Sequence, residues 1–163
     1  MTLSHIDGEG HARMVDVGGK PESLRTATAT GHIALSPEAF TAVERNSGPK
    51  GDVLSTAELA GTMAAKKTAD LIPLCHPIGL DHVRVTAALD PDLPGVTVEA
   101  SARVVGRTGV EMEALTAVTV ALLTVYDMVK AMGHAMEIGG IRLLTKTGGT
   151  SGDWTSNDGN TAC

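Results

Sequence analysis

The stretch "HVRVTAALDPDLPGVTVEASARVV", residues 82–105, decides the fold. Apolar and polar residues alternate on both sides of "PDLPG", residues 91–95, with the period of two that is typical of strands. A turn rich in proline and glycine between two such runs predicts a β-hairpin. Similar alternation in "LRTATATGHIAL", residues 24–35, predicts an earlier strand, and "IGGIRLLTK", residues 138–146, predicts a final one.

Helical signals lie between these strands. Ser36 followed by Pro37 predicts a helix start, because serine caps helices and proline suits their first position. Ser55 and Glu58 have capping-box spacing, and the helix that they begin should run to Pro73.

A long helix is predicted after the hairpin. Thr108 and Glu111 form a second capping box, and the helix should end near Met132, with Gly133 as its C-cap. The resulting order of strand, helices, strand, strand, helix and strand predicts an α+β fold. We expect the ferredoxin-like split βαβ arrangement, with an antiparallel sheet and helices on one face.

The totals predict one domain over residues 1–163, because 42% of the residues are hydrophobic. Residues 1–13 and 147–163 are predicted to be flexible, since the second segment consists mostly of small polar residues. A net charge of -6 disfavours nucleic-acid binding. The N-terminus lacks the pattern of a signal peptide, and the apolar run 114–129 falls short of a membrane span. These features predict a cytoplasmic protein.

The long helix carries an unusual second face. One stripe of apolar residues should pack on the sheet, whereas the opposite face combines small and β-branched residues with Glu113 and Asp127. Such a face suits close packing against another helix or subunit, so we expect an oligomer interface with a pocket lined by both carboxylates. Because about 21 Å of helix separates them, they either hold opposite ends of a long ligand or belong to different sites.

Asp127 and Lys130 share one face of this helix, at a spacing of three residues. In a partly dry pocket they could shift each other's proton affinity and serve as acid and base. The alternative is an ordinary ion pair on the helix surface.

The segment "KKTADLIPLCHPI", residues 66–78, places Cys75 and His76 in a loop stiffened by Pro73 and Pro77. A stiff loop of this kind can hold a ligand. Alternatively, Cys75 is a small apolar side chain and His76 a hydrogen-bonding loop residue. A Cys–His nucleophile pair is disfavoured because adjacent side chains on extended backbone point apart, and the histidines show no metal-ligand spacing.

Basic residues cluster at the ends of the predicted elements. A polyphosphate would be gripped at such positions, although exposed lysines are often only solvated. "KTGGTSGD", residues 146–153, could add backbone N–H donors. The basic residues in question are Arg25, Lys50, Lys66, Lys67, Lys130 and Lys146.

Three stretches together resemble the cyclic pyranopterin monophosphate synthase family, also called molybdenum cofactor biosynthesis protein C. They are "KGDVLSTAELAGTMAAKKTADLIPLCHPI", "GRTGVEMEALTAVTVALLTVYDMVKA" and "RLLTKTGGTSGD". "HARMVDVGGK" near the start is also similar, so that the resemblance covers residues 11–153. The segments "AMGHAMEIGG" and the last ten residues depart from it.

The resemblance implies a lyase that converts 3',8-cyclo-7,8-dihydro-GTP to cyclic pyranopterin monophosphate and releases pyrophosphate. It implies a homohexamer, built as a trimer of dimers, with sites at the dimer interface. No cofactor or metal is expected on the protein, although magnesium could accompany the substrate triphosphate. Asp127, Lys130 and Lys50 are the implied catalytic residues. The implied substrate-binding residues are Leu74, Cys75, His76, Glu111, Met112, Glu113, Arg25, Lys66 and Lys146.

Two rival functions fit the same element order. A noncatalytic regulatory module is one, since ferredoxin-like domains bind many effectors. It would not need Asp127 and Lys130 together in a face of small residues. An RNA-binding domain is the other, and the scarcity of aromatic residues and the acidic balance count against it.

Overall fold

The computed structural model of the chain describes residues 9–48, 50–150 and 152–156. The strands are β1 (Ser23–Ala34), β2 (His82–Asp90), β3 (Gly95–Gly106), β4 (Glu137–Thr147) and β5 (Trp154–Thr155). The helices are α1 (Pro37–Glu44), α2 (Val53–Ala65), α3 (Thr68–Leu71) and α4 (Glu111–Val129), the last continued by a 3₁₀ turn, Lys130–Met132.

The strands form one antiparallel sheet in the order β2-β3-β1-β4-β5. The hairpin predicted from residues 82–105 is the β2–β3 pair. Each helical connection skips one strand: α1 to α3 lead from β1 to β2 past β3, and α4 leads from β3 to β4 past β1. This is the split βαβ arrangement, and the predicted α+β class with helices on one sheet face is confirmed.

The core lies between that sheet face and α4. Alternate residues of β1, such as Ala27, Ala29 and Ile33, are fully buried, whereas the intervening threonines face the other side of the sheet. On the helix side of the core, Val118 and Leu122 of α4 are also fully buried. The apolar stripe predicted for this helix is therefore confirmed, with only Leu115 partly buried at its start.

Helix α2 packs closely against α4 at Gly61. A Cβ atom at Gly61 would lie 2.8 Å from the Ala117 carbonyl oxygen and 3.2 Å from the Ala121 Cβ, so only glycine permits this approach. Glu113 and Thr116 are buried in the same chain. The small-residue face of α4 was predicted to pack closely against another helix or subunit. Part of it packs against α2, because small side chains let the two helix backbones approach; an oligomer interface on this face stays a prediction.

Two helix starts differ from the sequence predictions. Asp52, not Ser55, caps α2: its carboxylate accepts from the Ser55 N–H at 3.0 Å, while Glu58 reaches across to the N–H of Ala87 at 2.9 Å. A carboxylate three positions earlier supplies a charged cap and displaces the serine. Helix α4 begins at Glu111 after Val110 without a side-chain cap, so the second predicted capping box is also wrong.

Helix α2 also ends earlier than expected. It stops at Ala65, and the short helix α3 fills part of the way to Pro73. At the other helix start, the predicted cap is confirmed, since the Ser36 hydroxyl accepts from the Ala39 N–H at 3.2 Å.

By length and composition, residues 111–132 could cross a membrane, although 56% of that window is buried in the fold, as in the core helix of a soluble domain. Strand β5 lies within the segment predicted to be flexible and pairs with β4 at Lys146 and Thr145. Residues 1–8 and 157–163 of the predicted flexible segments, including Cys163, lie outside the described residues.

Candidate active site

A cavity of about 500 Å³ opens beside the start of α4, between the loop after α3 and the segment before β1. Its volume falls in the range of pockets that hold small molecules. Six of the residues predicted to bind substrate line it together: Leu74, Cys75, His76, Glu111, Met112 and Glu113. We call it the apolar cavity.

The Cys75–His76 loop forms one wall of the apolar cavity. His76 Nε2 donates to the Val15 carbonyl at 2.8 Å, which fixes the ring against the segment before β1. Burial raises the pKa of the Cys75 thiol, and the nearby Glu113 charge adds to that rise. Cys75 is therefore a neutral thiol that forms part of the wall of the apolar cavity. A neutral thiol agrees with the prediction that Cys75 and His76 are not a nucleophile pair.

Glu113 is the buried carboxyl of the apolar cavity, with a relative exposure of 4%. Burial raises the pKa of Glu113 to about 7, opposed by a hydrogen bond from its own backbone and supported by the charge of Glu111. Near neutral pH this group can therefore either donate or accept a hydrogen bond.

A smaller, basic cavity of about 140 Å³ adjoins the apolar one. Lys20, Arg25, Arg107 and Lys146 line it, with Glu111 as the acidic side chain among the lining residues. Lys146 Nζ lies 3.4 Å from Glu111 Oε1, and Arg107 Nε lies 3.7 Å from Glu22 Oε1, so two of the four cations are already paired. The excess of positive charge makes this basic cavity suitable for phosphate groups.

The Gly148–Gly149 turn closes over Arg25 in the basic cavity. Both glycines have positive φ, 86° and 83°, and a Cβ at Gly149 would collide with the Arg25 guanidinium. Within the described residues the buried Nε of Arg25 has no hydrogen-bond acceptor. The glycine-rich segment that was predicted to donate backbone N–H groups to phosphate thus lies against Arg25, which was predicted to bind the substrate.

The three predicted catalytic residues meet at the opposite end of α4. Lys50 Nζ lies 2.7 Å from one carboxylate oxygen of Asp127, and Lys130 Nζ lies 2.6 Å from the other. Lys50 also donates to the Asp127 backbone carbonyl at 3.1 Å, which ties the loop before α2 to the end of α4. We call these residues the carboxylate–lysine triad.

The triad is charged and exposed. Hydrogen bonds from Lys130 and Lys50 lower the pKa of Asp127 to about 2, and the bond to Asp127 raises the pKa of Lys130. Asp127 and Lys130 do shift each other's proton affinity, as the sequence predicted. In the single chain, however, the shifts stabilise both charges instead of bringing either pKa toward neutrality, because water still reaches about half of each side chain.

Sequence reasoning placed most of these residues but not all. Lys66 lines a third cavity of about 310 Å³ on the far side of Glu113, away from the basic cavity. Lys20 and Arg107 were not predicted. Both lie in glycine-containing connections, "VGGK" and "GRTG", the kind of position at which Lys50 and Lys146 were predicted to bind the substrate. The structure brings eight of the nine predicted substrate-binding residues to the apolar and basic cavities at the start of α4, and the three predicted catalytic residues to its end.

The fold and the site define the chain as an α+β domain with a cleft that has an apolar and a basic compartment. Many protein families fall within this class. The model of the MoaC family matches residues 14–149, so the chain belongs to that family.

Relatives similar over nearly the whole chain carry the name cyclic pyranopterin monophosphate synthase. One from Roseiflexus sp. is 56% identical over 155 residues, covering 95% of this chain and 98% of the relative. One from Brucella ovis is 55% identical over 156 residues, covering 96% and 94%, and one from Nostoc sp. is 53% identical over 152 residues, covering 93% and 90%. The family predicted from the sequence is confirmed.

Proposed function

We propose that this chain is a cyclic pyranopterin monophosphate synthase. The reaction is a lyase step in which 3',8-cyclo-7,8-dihydro-GTP rearranges to the pyranopterin, its first phosphate closes into a cyclic ester, and pyrophosphate leaves. Its relatives carry the name of this activity. The single observation that carries the proposal is the junction of the apolar and basic cavities, which share Lys20, Thr108, Gly109 and Glu111.

The two cavities match the two parts of such a substrate. A ring system fits the apolar cavity, where Glu113 can offer or accept a hydrogen bond at a ring edge. The triphosphate fits the basic cavity, where Arg25 and Lys146 supply positive charge. When the phosphate chain enters, its oxygens would compete with Glu111 for Lys146, at present 3.4 Å apart.

Asp127, Lys50 and Lys130 act on the reacting centre in this proposal. Their ammonium groups can donate a proton to, or stabilise charge on, the oxygens where charge develops. Asp127 holds both ammonium groups on its two carboxylate oxygens, at 2.7 and 2.6 Å. Exclusion of water by a bound substrate would bring the pKa values of Asp127 and Lys130 closer together, because burial disfavours charge.

A second subunit would join these residues to the cavities. Glu113 and Asp127 lie 14 positions apart on α4, which is about 21 Å at about 1.5 Å per residue. A two-fold axis near the middle of α4 would place each triad against the partner's cavities and create two complete sites per dimer. Three large apolar side chains are exposed between the two ends, Leu59 and Met63 on α2 and Leu123 on α4, with relative exposures of 61%, 54% and 53%.

The wider assembly proposed is a homohexamer, a trimer of such dimers, in the cytoplasm. The site needs no metal held by the protein, although magnesium could arrive with the triphosphate.

Incubation of the purified protein with the cyclised GTP derivative tests the proposal. We expect cyclic pyranopterin monophosphate and pyrophosphate to form in equal amounts. A folded, oligomeric protein that forms neither product contradicts the proposed function.

A further inference from the structure

Asp81 lies where one wall of the apolar cavity joins the sheet. We call residues 72–81, which connect α3 to β2, the wall loop. Leu74, Cys75 and His76 of this loop line the apolar cavity. We propose that Asp81 is a positioning residue, whose carboxylate holds the wall loop where those three side chains meet the substrate. The assignment rests on the proposed function for the identity of the substrate, but the position of the wall can be measured separately.

Asp81 completes the edge of β3 beyond the end of β2. The pairing of β2 with β3 begins at His82 opposite Arg103, whereas β3 continues to Gly106. The Asp81 N–H donates to the Arg103 carbonyl at 2.9 Å, and the Asp81 carboxylate accepts from the Val105 N–H at 2.8 Å. Both distances are those of well-formed hydrogen bonds, and a carboxylate acceptor strengthens the second. One residue thus occupies the place that a longer β2 would have filled.

The second half of the wall loop has few other attachments. The His76 ring donates to the Val15 carbonyl at 2.8 Å. From there to Asp81, residues 77–80 make no hydrogen bond within the part of the chain that the structure describes. The apolar side chains of this stretch pack against the core only partly buried. The position of the wall therefore depends on the bond at His76 and on the anchor at Asp81.

Asp81 would act on the substrate through the loop and not by contact. It is exposed and is not among the residues that line the apolar cavity. Removing an exposed carboxylate leaves no hole in the core, so the chain should still fold. The expected consequence is local opening of the wall loop, which needs much less free energy than global unfolding.

The Cys75 thiol reports on the wall without catalysis. The chain has two cysteines, so Cys163→Ser leaves Cys75 as its only thiol. Its thiolate displaces one thionitrobenzoate from dithiobis(nitrobenzoate), at a rate that rises with access to the wall. In the assembled protein, Asp81→Ala should speed up this reaction about tenfold, because a hydrogen bond to a charged group contributes a factor of that size. Asp81→Asn keeps an oxygen acceptor for the backbone N–H and should react nearly as slowly as the parent.

Asp92→Ala is the matched control, because Asp92 is exposed in the turn at the other end of the β2–β3 hairpin. Its thiol reaction rate should equal that of the parent. Low concentrations of urea separate local opening from global unfolding, since the response to urea scales with the surface exposed. The rate in Asp81→Ala should therefore barely change with urea.

Three results would overturn the assignment. They are a parent-like rate in Asp81→Ala, an equal rise in Asp92→Ala, and a steep urea dependence of the reaction in Asp81→Ala. The measurement needs no turnover, so failure of the proposed function and failure of the Asp81 assignment are distinguishable.

Steady-state kinetics connect the wall to the substrate. Asp81→Ala should raise KM for the cyclised GTP derivative about tenfold with kcat nearly unchanged, because ordering the loop then opposes binding in ground and transition states alike. Asp81→Asn should bring KM back close to the wild-type value. An unchanged KM in Asp81→Ala, or no recovery in Asp81→Asn, contradicts the positioning role of the carboxylate oxygen.

Discussion

The two ends of α4 carry carboxylates whose pKa values shift in opposite directions. At the start, burial raises the pKa of Glu113 to about 7. At the end, hydrogen bonds from two lysines lower the pKa of Asp127 to about 2. The helix is continuous, so the difference comes from what surrounds each carboxylate: apolar walls in one case, and ammonium groups in water in the other.

In the proposed mechanism, this contrast means that neither end of α4 is a complete site by itself. The start of α4 has cavities of suitable volume but keeps its carboxyl group partly protonated near neutral pH. The end has Asp127 paired with Lys50 and Lys130 on a surface, with about half of each side chain exposed. The proposed reaction needs both enclosure and charge, and the proposed two-fold dimer would bring the two ends of α4 together.

The largest expected effect lies at the end of α4. Asp127→Asn should lower kcat by about 100- to 10,000-fold, the range typical of lost acid–base or charge-positioning groups. The fold should be unaffected, because Asp127 is exposed and its carboxylate pairs with the exposed side chains of Lys50 and Lys130. Rate measurements on purified protein check the first part, and thermal unfolding checks the second.

Asp92→Asn provides the matched control for that variant. Asp92 is exposed in the turn between β2 and β3, remote from both ends of α4 in the sequence, so its rate should equal the wild-type rate. An Asp127→Asn protein with more than a tenth of wild-type activity would remove Asp127 from the site.

The next effect concerns the start of α4 and depends on pH. Because the folded-state pKa of Glu113 is above its ordinary value of 4.5, the folded chain binds more protons than the unfolded chain between about pH 4.5 and 7. The stability that protonated Glu113 contributes is therefore complete below pH 4.5 and is lost as pH rises to about 7. Relative to Glu113→Gln, the wild type should lose up to about 3 kcal/mol over that range.

Urea unfolding of both proteins at several pH values measures this difference. Glu44→Gln, at the exposed end of α1, is the control and should show no such pH dependence. A constant difference between wild type and Glu113→Gln would mean that Glu113 titrates in the folded protein as it does in water.

The smallest expected effect concerns how much Lys50 contributes to the lowered pKa of Asp127. Lys50→Ala should raise the pKa of Asp127 toward its ordinary 3.8, because one of the two hydrogen bonds that stabilise the carboxylate is lost. Carbon NMR of the labelled side chain can follow that titration. Lys67→Ala, a lysine near the other end of α4, should leave it unchanged. If the pKa of Asp127 did not change in Lys50→Ala, the lowering of that pKa would be due to Lys130 alone.

Most of the fold could be predicted from local patterns. Alternation in residues 24–35 and 82–105 identified three strands, since one face of each is buried and the other is not. Helix starts were harder: Asp52 stood outside the apolar pattern and displaced the expected Ser55 cap. The packing of α2 on α4 depends on Gly61 meeting Ala117 and Ala121, a contact between segments that no local pattern reveals.

The candidate site likewise contains residues that local motifs predict and residues that only the folded chain brings together. Residues predicted from "LIPLCHP" and "EME" do line one cavity, because each motif occupies a single short segment. Lys20 and Arg107 were missed because their part in the basic cavity depends on a strap that crosses the fold to reach the start of α4. Glu113 and Asp127 do lie on one continuous helix, as predicted. The directions of their pKa shifts depend on the burial of Glu113 and the ion pairs of Asp127, which the sequence does not reveal.

Mixing two inactive variants tests most directly whether the ends of α4 work together across subunits. His76→Ala disables the cavity and Asp127→Asn the triad, so refolding them together in equal amounts should restore about one quarter of wild-type activity, since half the dimers then contain one complete site of two. Mixing Asp127→Asn with Lys130→Ala, which lie at the same end, should restore none. Absence of activity in the first mixture, with hybrid oligomers shown to form, would contradict a site shared between protomers.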